Sequence, residues 1–191
     1  MARLKSENKR NAILIAATEV IAERGLSAPT SAISAKARVA DGSLYVYFKT
    51  KDELLNTLYR EIKYEMADAM MSDFPRRGEV RHRLKHIWDR HINWGVSNPQ
   101  QYKALHLIGS WDGLTEESRK VGGAPFLEVQ KMMDDAVTQA VFQALPPEFF
   151  AAVVHSFAEM TIDFVRRHAK EAEKYRELGF KLLWSAIERK R

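Results

Sequence analysis

Ala37-Arg-Val-Ala-Asp-Gly-Ser-Leu-Tyr-Val-Tyr-Phe48, followed by Lys49-Thr-Lys51, is the stretch whose reading decides the fold. Small residues lead into a run with two tyrosines, and Leu44 and Phe48, at i and i+4, give it one apolar side. That pattern predicts a tight turn and a helix from Gly42 to Phe48. Just upstream, Ile33 and Ala37 share a second short helix that Val39 closes, with Thr30 or Ser31 placed to cap it. Before that, Ile13, Ala16, Ala17, Val20 and Ile21 mark one face of a helix over residues 8–24, which Gly25 stops. Downstream, Thr50-Lys-Asp-Glu53 is a capping box that opens a long helix carrying Leu54, Leu55, Leu58, Ile62, Met66 and Met70.

Two short helices joined by a tight turn and braced by a preceding helix describe a helix-turn-helix. The chemistry agrees. Residues 1–51 hold nine Lys/Arg against four acids, while the remaining residues hold 21 of each, so the whole net charge of +5 lies in the first quarter. A polyanion is the natural partner of that end. Lys51 stands in the first turn of its helix, where the macrodipole disfavours a cation unless a phosphate neutralises both. Tyr45 and Tyr47, at i and i+2, cannot both enter a small core, and a tyrosine hydroxyl is a phosphate donor. Gly42 and Ser43 are small enough to let the helix approach base edges. Surface and core positions in a plain helical bundle would use the same residue types.

The rest of the chain is helical as well. Phe74-Pro-Arg-Arg-Gly78 breaks the pattern and sets a domain boundary. Beyond it, Val80, Leu84, Ile87 and Trp88 form one stripe, and Asn98-Pro99 opens a short helix. Gly109 to Pro125 holds four glycines and reads as loop with a turn near Thr115–Lys120, and 126–142 reads as one helix. From Glu148 to about His168 the chain is apolar on nearly every side, and a last helix runs from Tyr175 to a basic end, with a break near 169–173. No stretch alternates like a strand. The fold class expected is all-α with about nine helices. The domains expected are a helix-turn-helix unit at 1–51, a long helix at 51–73 and a second helical domain at 74–191.

With no cysteine, disulfides, zinc–thiolate sites and thiol nucleophiles are excluded, which suits the cytoplasm. The polar start is unlike a signal peptide, and no apolar run reaches membrane-spanning length. His82 and His86 have chelating spacing with Asp89, but Arg81, Arg83, Lys85 and Arg90 surround them and oppose a cation. No paired-carboxylate, Ser-His-Asp or phosphate-loop arrangement is present, so neither a metal, a cofactor nor catalysis is expected.

Residues 9–60 resemble the DNA-binding domain of the TetR family of bacterial transcriptional repressors. The likeness runs from Ile13-Leu-Ile-Ala-Ala-Thr-Glu-Val-Ile-Ala-Glu-Arg-Gly25 through Thr30, Ile33, Ala37 and Val39 to Gly42-Ser-Leu-Tyr-Val-Tyr-Phe48 and Lys51-Asp-Glu-Leu-Leu55. It implies phosphate contacts from Thr30 or Ser31, Tyr45, Tyr47 and Lys51, and base contacts from Asp41, Gly42, Ser43 and Val46. Three positions depart from the family pattern. Arg38 replaces a turn glycine, so the turn either avoids positive φ or bears a strain cost. Ala40 replaces a serine cap, leaving Asp41 to cap or to accept from cytosine N4, with capping the better reading. Tyr47 replaces a histidine.

The resemblance also implies a repressor that is a homodimer on a palindromic double-stranded operator, released by a small effector bound in the variable domain. Phe149, Val153, Phe157, Leu178, Leu182 and Ile187 are the dimer candidates, because a helix apolar all round needs cover on both sides. Trp88, His91, Trp94, Trp111, Phe126, Met133, Phe157, Met160 and Asp163 are the ligand candidates, suited to a lipophilic or aromatic molecule, although each is individually a plausible core side chain. Glu159 and Asp163, at i and i+4, fit either a salt-bridged seam or a counter-charge for a cationic ligand. A ligand-independent regulator of the same fold, or an all-α enzyme or carrier with a basic end, are the competing readings.

Overall fold

The computed structural model describes residues 2–189, with side chains from residue 6 onward. Arg3 and Lys5, part of the basic excess, and the terminal Lys190 and Arg191 fall outside those limits. Among the described residues ten α-helices follow one another: α1 (Ala2–Arg24), α2 (Thr30–Ala37), α3 (Asp41–Tyr47), α4 (Lys51–Met71), α5 (Val80–Ser97), α6 (Pro99–Gly109), α7 (Glu116–Gly123), α8 (Leu127–Thr138), α9 (Pro147–Arg167) and α10 (Ala172–Ile187). Two 3₁₀ turns, Ala124–Phe126 and Ala169–Glu171, interrupt the helical chain. Among the described residues the only β feature is one isolated antiparallel bridge, Phe142 to Glu188. The architecture is all-α.

The helices form two compact units that do not follow chain order. The first comprises 1–65 with 98–124, and the second 66–97 with 125–191. In the first unit the stripe on α1 is buried as its spacing requires, with Ile13, Ala17 and Ile21 at full burial, and Ile33, Leu44, Phe48, Leu54 and Leu55 join it. Gly25 takes φ +79°, and its N–H donates to the Ile21 carbonyl at 2.9 Å, ending α1. Arg10 reaches from α1 to Glu61 on α4 at 2.8 Å and lies over the Phe48 ring.

The segment 109–125, expected as loop, contains α7. Its N-cap is Thr115, whose hydroxyl accepts from the Ser118 N–H at 3.1 Å. The helix ends in two glycines, and Gly122 lies so close to α4 that a Cβ there would stand 2.8 Å from the Tyr59 ring. Lys63, beside it, is desolvated, and burial brings its pKa down to about 8.

In the second unit Trp88 is buried against Phe180, and its indole N–H donates to the Arg176 carbonyl at 3.0 Å. Gly179 allows α10 to lie on α9 and α5: a Cβ there would come 2.2 Å from the Thr161 hydroxyl and 2.8 Å from the Trp88 ring. Helix α8 stops at Thr138, short of Phe142. Val141 N–H donates to Ala136 O at 2.9 Å and Ala140 N–H to Val137 O at 3.0 Å, with Ala140 at φ +57°, which is a Schellman ending with alanine in the glycine position. Phe142 then turns inward to pack edge-on to Trp184.

Candidate nucleic-acid interface

Helices α2 and α3 and the three residues between them form the helix-turn-helix. Val39 N–H donates to Ser34 O at 3.0 Å and Arg38 N–H to Ala35 O at 3.2 Å, the paired bonds of a Schellman ending. Arg38 therefore takes the left-handed conformation, φ +55° and ψ +42°. The turn is built with positive φ on a non-glycine residue, which costs about 1–2 kcal/mol. Arg38 is exposed, so little packing offsets that cost. Arg38→Gly is expected to stabilise the fold by roughly 0.5–1 kcal/mol after glycine's greater unfolded-state entropy is subtracted. Urea unfolding of the two chains measures it.

Caps at this site differ from the sequence expectation. Pro29, extended at φ −71° and ψ 151°, is the N-cap of α2, and neither Thr30 nor Ser31 caps the helix. Ala40 occupies the N-cap of α3, and Asp41 is the first helical residue, with no side-chain cap bond. Asp41 is exposed and does not cap, which corrects the preferred reading. At Thr50 the forward bond of the capping box forms, and the return bond goes to the residue before the cap. The Glu53 N–H donates to the Thr50 hydroxyl at 3.0 Å, and the Glu53 carboxylate accepts from Lys49 N–H at 2.8 Å.

Leu44 and Phe48 anchor α3 in the core, which turns the opposite side outward. There Val46 is 80% exposed, beside exposed Gly42. Tyr45 is exposed and its hydroxyl lies 2.9 Å from that of Thr30, so helices α2 and α3 present two hydroxyls together. Tyr47 is half-buried and Ser31 exposed.

Lys51 is not the unpaired cation that its position in the sequence suggests. Its ammonium donates to the carbonyls of Leu26 at 2.5 Å and Ala28 at 2.7 Å, tying the start of α4 to the connector before α2. These carbonyls offset the unfavourable macrodipole and leave one N–H for another acceptor. Lys36 is paired with Glu19 at 2.7 Å, and that hydrogen-bonded carboxylate raises its pKa. Arg38 and Lys49 are exposed and take part in none of the described ion pairs.

A polar cluster that the sequence did not reveal holds α4 to the α6–α7 loop within this unit. Asn56, 6% exposed, donates from its amide to Asp52 O at 2.9 Å and Gly113 O at 3.0 Å, and its carbonyl oxygen accepts from the Thr115 N–H at 2.9 Å and hydroxyl at 3.0 Å. One turn on, Arg60 donates to the Ser118 hydroxyl at 2.8 Å and to that of Thr57 at 3.0 Å. Trp111 belongs here too: a Cβ on Gly113 would lie 2.2 Å from its ring.

The other candidates lie in the second unit. Among the dimer candidates, Phe149, Leu178 and Leu182 are exposed and Val153 and Phe157 half-buried, whereas Ile187 is 0% exposed. Ile187 sits on the inner side of α10 with Leu183 and Trp184, so it leaves the set that can face a partner. Met160, Phe164 and Tyr175 join Leu178 and Leu182 in lining an apolar groove of about 120 Å³ along α9 and α10. The i, i+4 spacing of Met160 and Phe164 carried that signal.

The ligand candidates do not form one group. Trp88 and Trp94 are core, His91, Phe126 and Met133 half-buried, and Met160 and Phe157 lie on α9. Asp163 is exposed and ion-paired with Arg167, and Asp89 is held by Lys85 at 2.7 Å.

A three-helix head whose second and third helices form a helix-turn-helix, with hydroxyls and cations around an outward-facing α3, has the architecture used by helix-turn-helix DNA-binding domains. Residues 13–58 match the family model for bacterial regulatory proteins of the tetR family. The chain is 34% identical over 82 residues to the fatty acid metabolism regulator protein of Bacillus subtilis; the match spans 42% of this chain and 42% of that relative. Among solved structures, a TetR family transcription regulator from Marinobacter aquaeolei VT8 superposes with TM-score 0.85 at 18% identity, covering 98% of this chain and 100% of the other. The transcriptional regulator FadR from Bacillus subtilis, solved in complex with stearoyl-CoA, superposes with TM-score 0.66 at 22% identity, covering 93% and 98%. These likenesses show that the fold of the chain is that of tetR-family regulators.

Proposed function

We propose that this protein is a dimeric transcriptional repressor, not an enzyme, and that a lipophilic effector releases it from a palindromic operator. The observation that carries the reading is the α3 surface: Val46 and Gly42 face solvent while Tyr45 and Thr30 hold their hydroxyls side by side. In this reading Thr30, Ser31, Tyr45, Tyr47 and Lys51 position the head on phosphates, and Asp41, Gly42, Ser43 and Val46 face the bases. The domain roles follow: 1–51 reads DNA, and 74–191 holds the effector and the dimer contact.

Support for dimerisation comes from the apolar groove on α9 and α10, because Met160, Phe164, Leu178 and Leu182 leave a contiguous apolar face in water. Two heads on one dimer match two half-sites of a palindrome. The effector class rests on the likeness to a fatty acid metabolism regulator, and stearoyl-CoA is the first probe to try. A cytoplasmic site of action fits; among the described residues no helix is long and apolar enough to cross a membrane.

The test uses a duplex selected from a random pool by the full chain. Tyr45→Phe removes only a hydroxyl from each head and is expected to lower the dimer's affinity roughly hundredfold, two lost bonds to charged acceptors, with little change in thermal stability because the Tyr45–Thr30 bond it also removes is exposed. Addition of stearoyl-CoA is expected to weaken binding further. Unchanged affinity for Tyr45→Phe would remove the phosphate role, and an unresponsive complex would remove that effector class.

A further inference from the structure

We propose that Val46 reads the C5-methyl group of a thymine, and that this contact sets one T·A position in each operator half-site. The inference rests on the DNA-reading function above and deepens it. Val46 is the most exposed large apolar side chain among the described residues, at 80%. A β-branched residue on the exposed face of a seven-residue helix adds nothing to helix stability and leaves apolar surface in water. Its neighbours on the same face, at i−4 and i−3, are Gly42 and Ser43, and a Cβ built on Gly42 would meet no atom within 4 Å. Valine therefore projects from a face that is otherwise low and open, leaning toward the helix N-terminus.

What fits such a projection follows from the chemistry of the major groove. Of the four bases only thymine carries a methyl group there; the others present mainly donors and acceptors. An isopropyl group cannot satisfy those, so a polar base edge beneath it would lose water without gaining a bond. The surrounding groups suit the face to a polyanion better than to an apolar protein surface. Arg38 and Lys49 are exposed at either end of α3, and the paired Tyr45 and Thr30 hydroxyls lie beside it.

The experiment starts from the duplex that the full chain selects from a random pool. Each thymine is replaced in turn by uracil, which removes the methyl group and keeps the pairing. Affinity is read by fluorescence anisotropy for the wild-type chain, Val46→Ala and Val46→Ser. At one thymine per half-site the wild type is expected to lose about fourfold, the value of burying one methyl group, and roughly fifteenfold when both half-sites carry uracil. Val46→Ala is expected to bind thymine and uracil duplexes within a factor of about two of each other, since its side chain withdraws from the methyl. Replacing the same thymine by 5-methylcytosine, opposite guanine, is expected to retain part of the wild-type affinity that cytosine loses. Uracil tolerated at every position by the wild type, or the same penalty persisting in Val46→Ala, overturns the assignment while leaving DNA binding intact. A pool that yields no enriched duplex overturns the DNA-reading function and this contact with it. Val46 is solvent-facing, so thermal melting of both variants is expected to match the wild type.

Discussion

Asn56→Ala is expected to destabilise the first unit by about 3 kcal/mol and to release the α6–α7 loop from α4. The asparagine uses both amide hydrogens and both lone pairs of its oxygen. Its removal leaves the Thr115 N–H and the Gly113 carbonyl without this partner in a buried setting. Each such orphan costs about 1–3 kcal/mol, and the vacated volume adds to the loss. The Asp52 carbonyl is less affected, because it remains inside the α4 hydrogen-bond ladder. Asn56→Asp sharpens the test: its shape and acceptor are retained, while two carbonyls face a carboxylate in place of an amide. Both variants are expected to lower the urea midpoint and to speed hydrogen exchange at the Thr115 amide. A loss below about 1 kcal/mol, with Thr115 still protected, would show that water replaces the asparagine without cost.

Leu178→Glu combined with Leu182→Glu is expected to leave the chain folded and monomeric, and to lower operator affinity by a hundredfold or more. Both leucines are exposed in the single chain, at 45% and 43%, so the charges do not enter its core. Across a dimer seam along α9 and α10, four unpaired carboxylates would be desolvated, which association cannot support. Two heads joined in one molecule gain about 10²–10⁴ in affinity from the second half-site, and a monomer forfeits that gain. Sedimentation equilibrium and circular dichroism separate the outcomes. A wild-type chain that is already monomeric, or a double variant that still pairs, would contradict the proposed seam.

The parts of this molecule legible in the sequence are those set by near neighbours. The α1 stripe, the Gly25 stop and the Thr50–Glu53 cap bond depend on residues at most a few helical turns apart, and all appear in the structure. The i+2 spacing of Tyr45 and Tyr47 required that one of them turn outward, and the structure shows that it is Tyr45. Arg38 marked the turn as unusual, and the structure shows how it is made, with the arginine in the glycine conformation. Distant partners stayed hidden. Lys51 looked unpaired because its acceptors are carbonyls 23 and 25 residues earlier. Asn56 carries no local signal because Gly113 and Thr115 lie 57 and 59 residues on. Helix α7 was obscured by its two terminal glycines, one of which serves close packing against Tyr59. Ile187 shows a different limit. A helix with apolar residues on two sides does not say which side faces its own core, and only the fold places Ile187 inward with Leu183.

A basic, hydroxyl-bearing head that binds duplex DNA through its phosphates must lose affinity as salt rises. The dependence of affinity on salt tests that binding most directly. Arg38, Lys49 and Lys51 offer about three cations per head, so six per dimer, and the logarithm of the association constant is expected to fall with the logarithm of salt concentration at a slope of roughly −5. A titration of the full chain with its selected duplex between about 50 and 200 mM salt measures this slope. A steep linear fall is expected of phosphate binding by this head; no binding, or binding indifferent to salt, would contradict it.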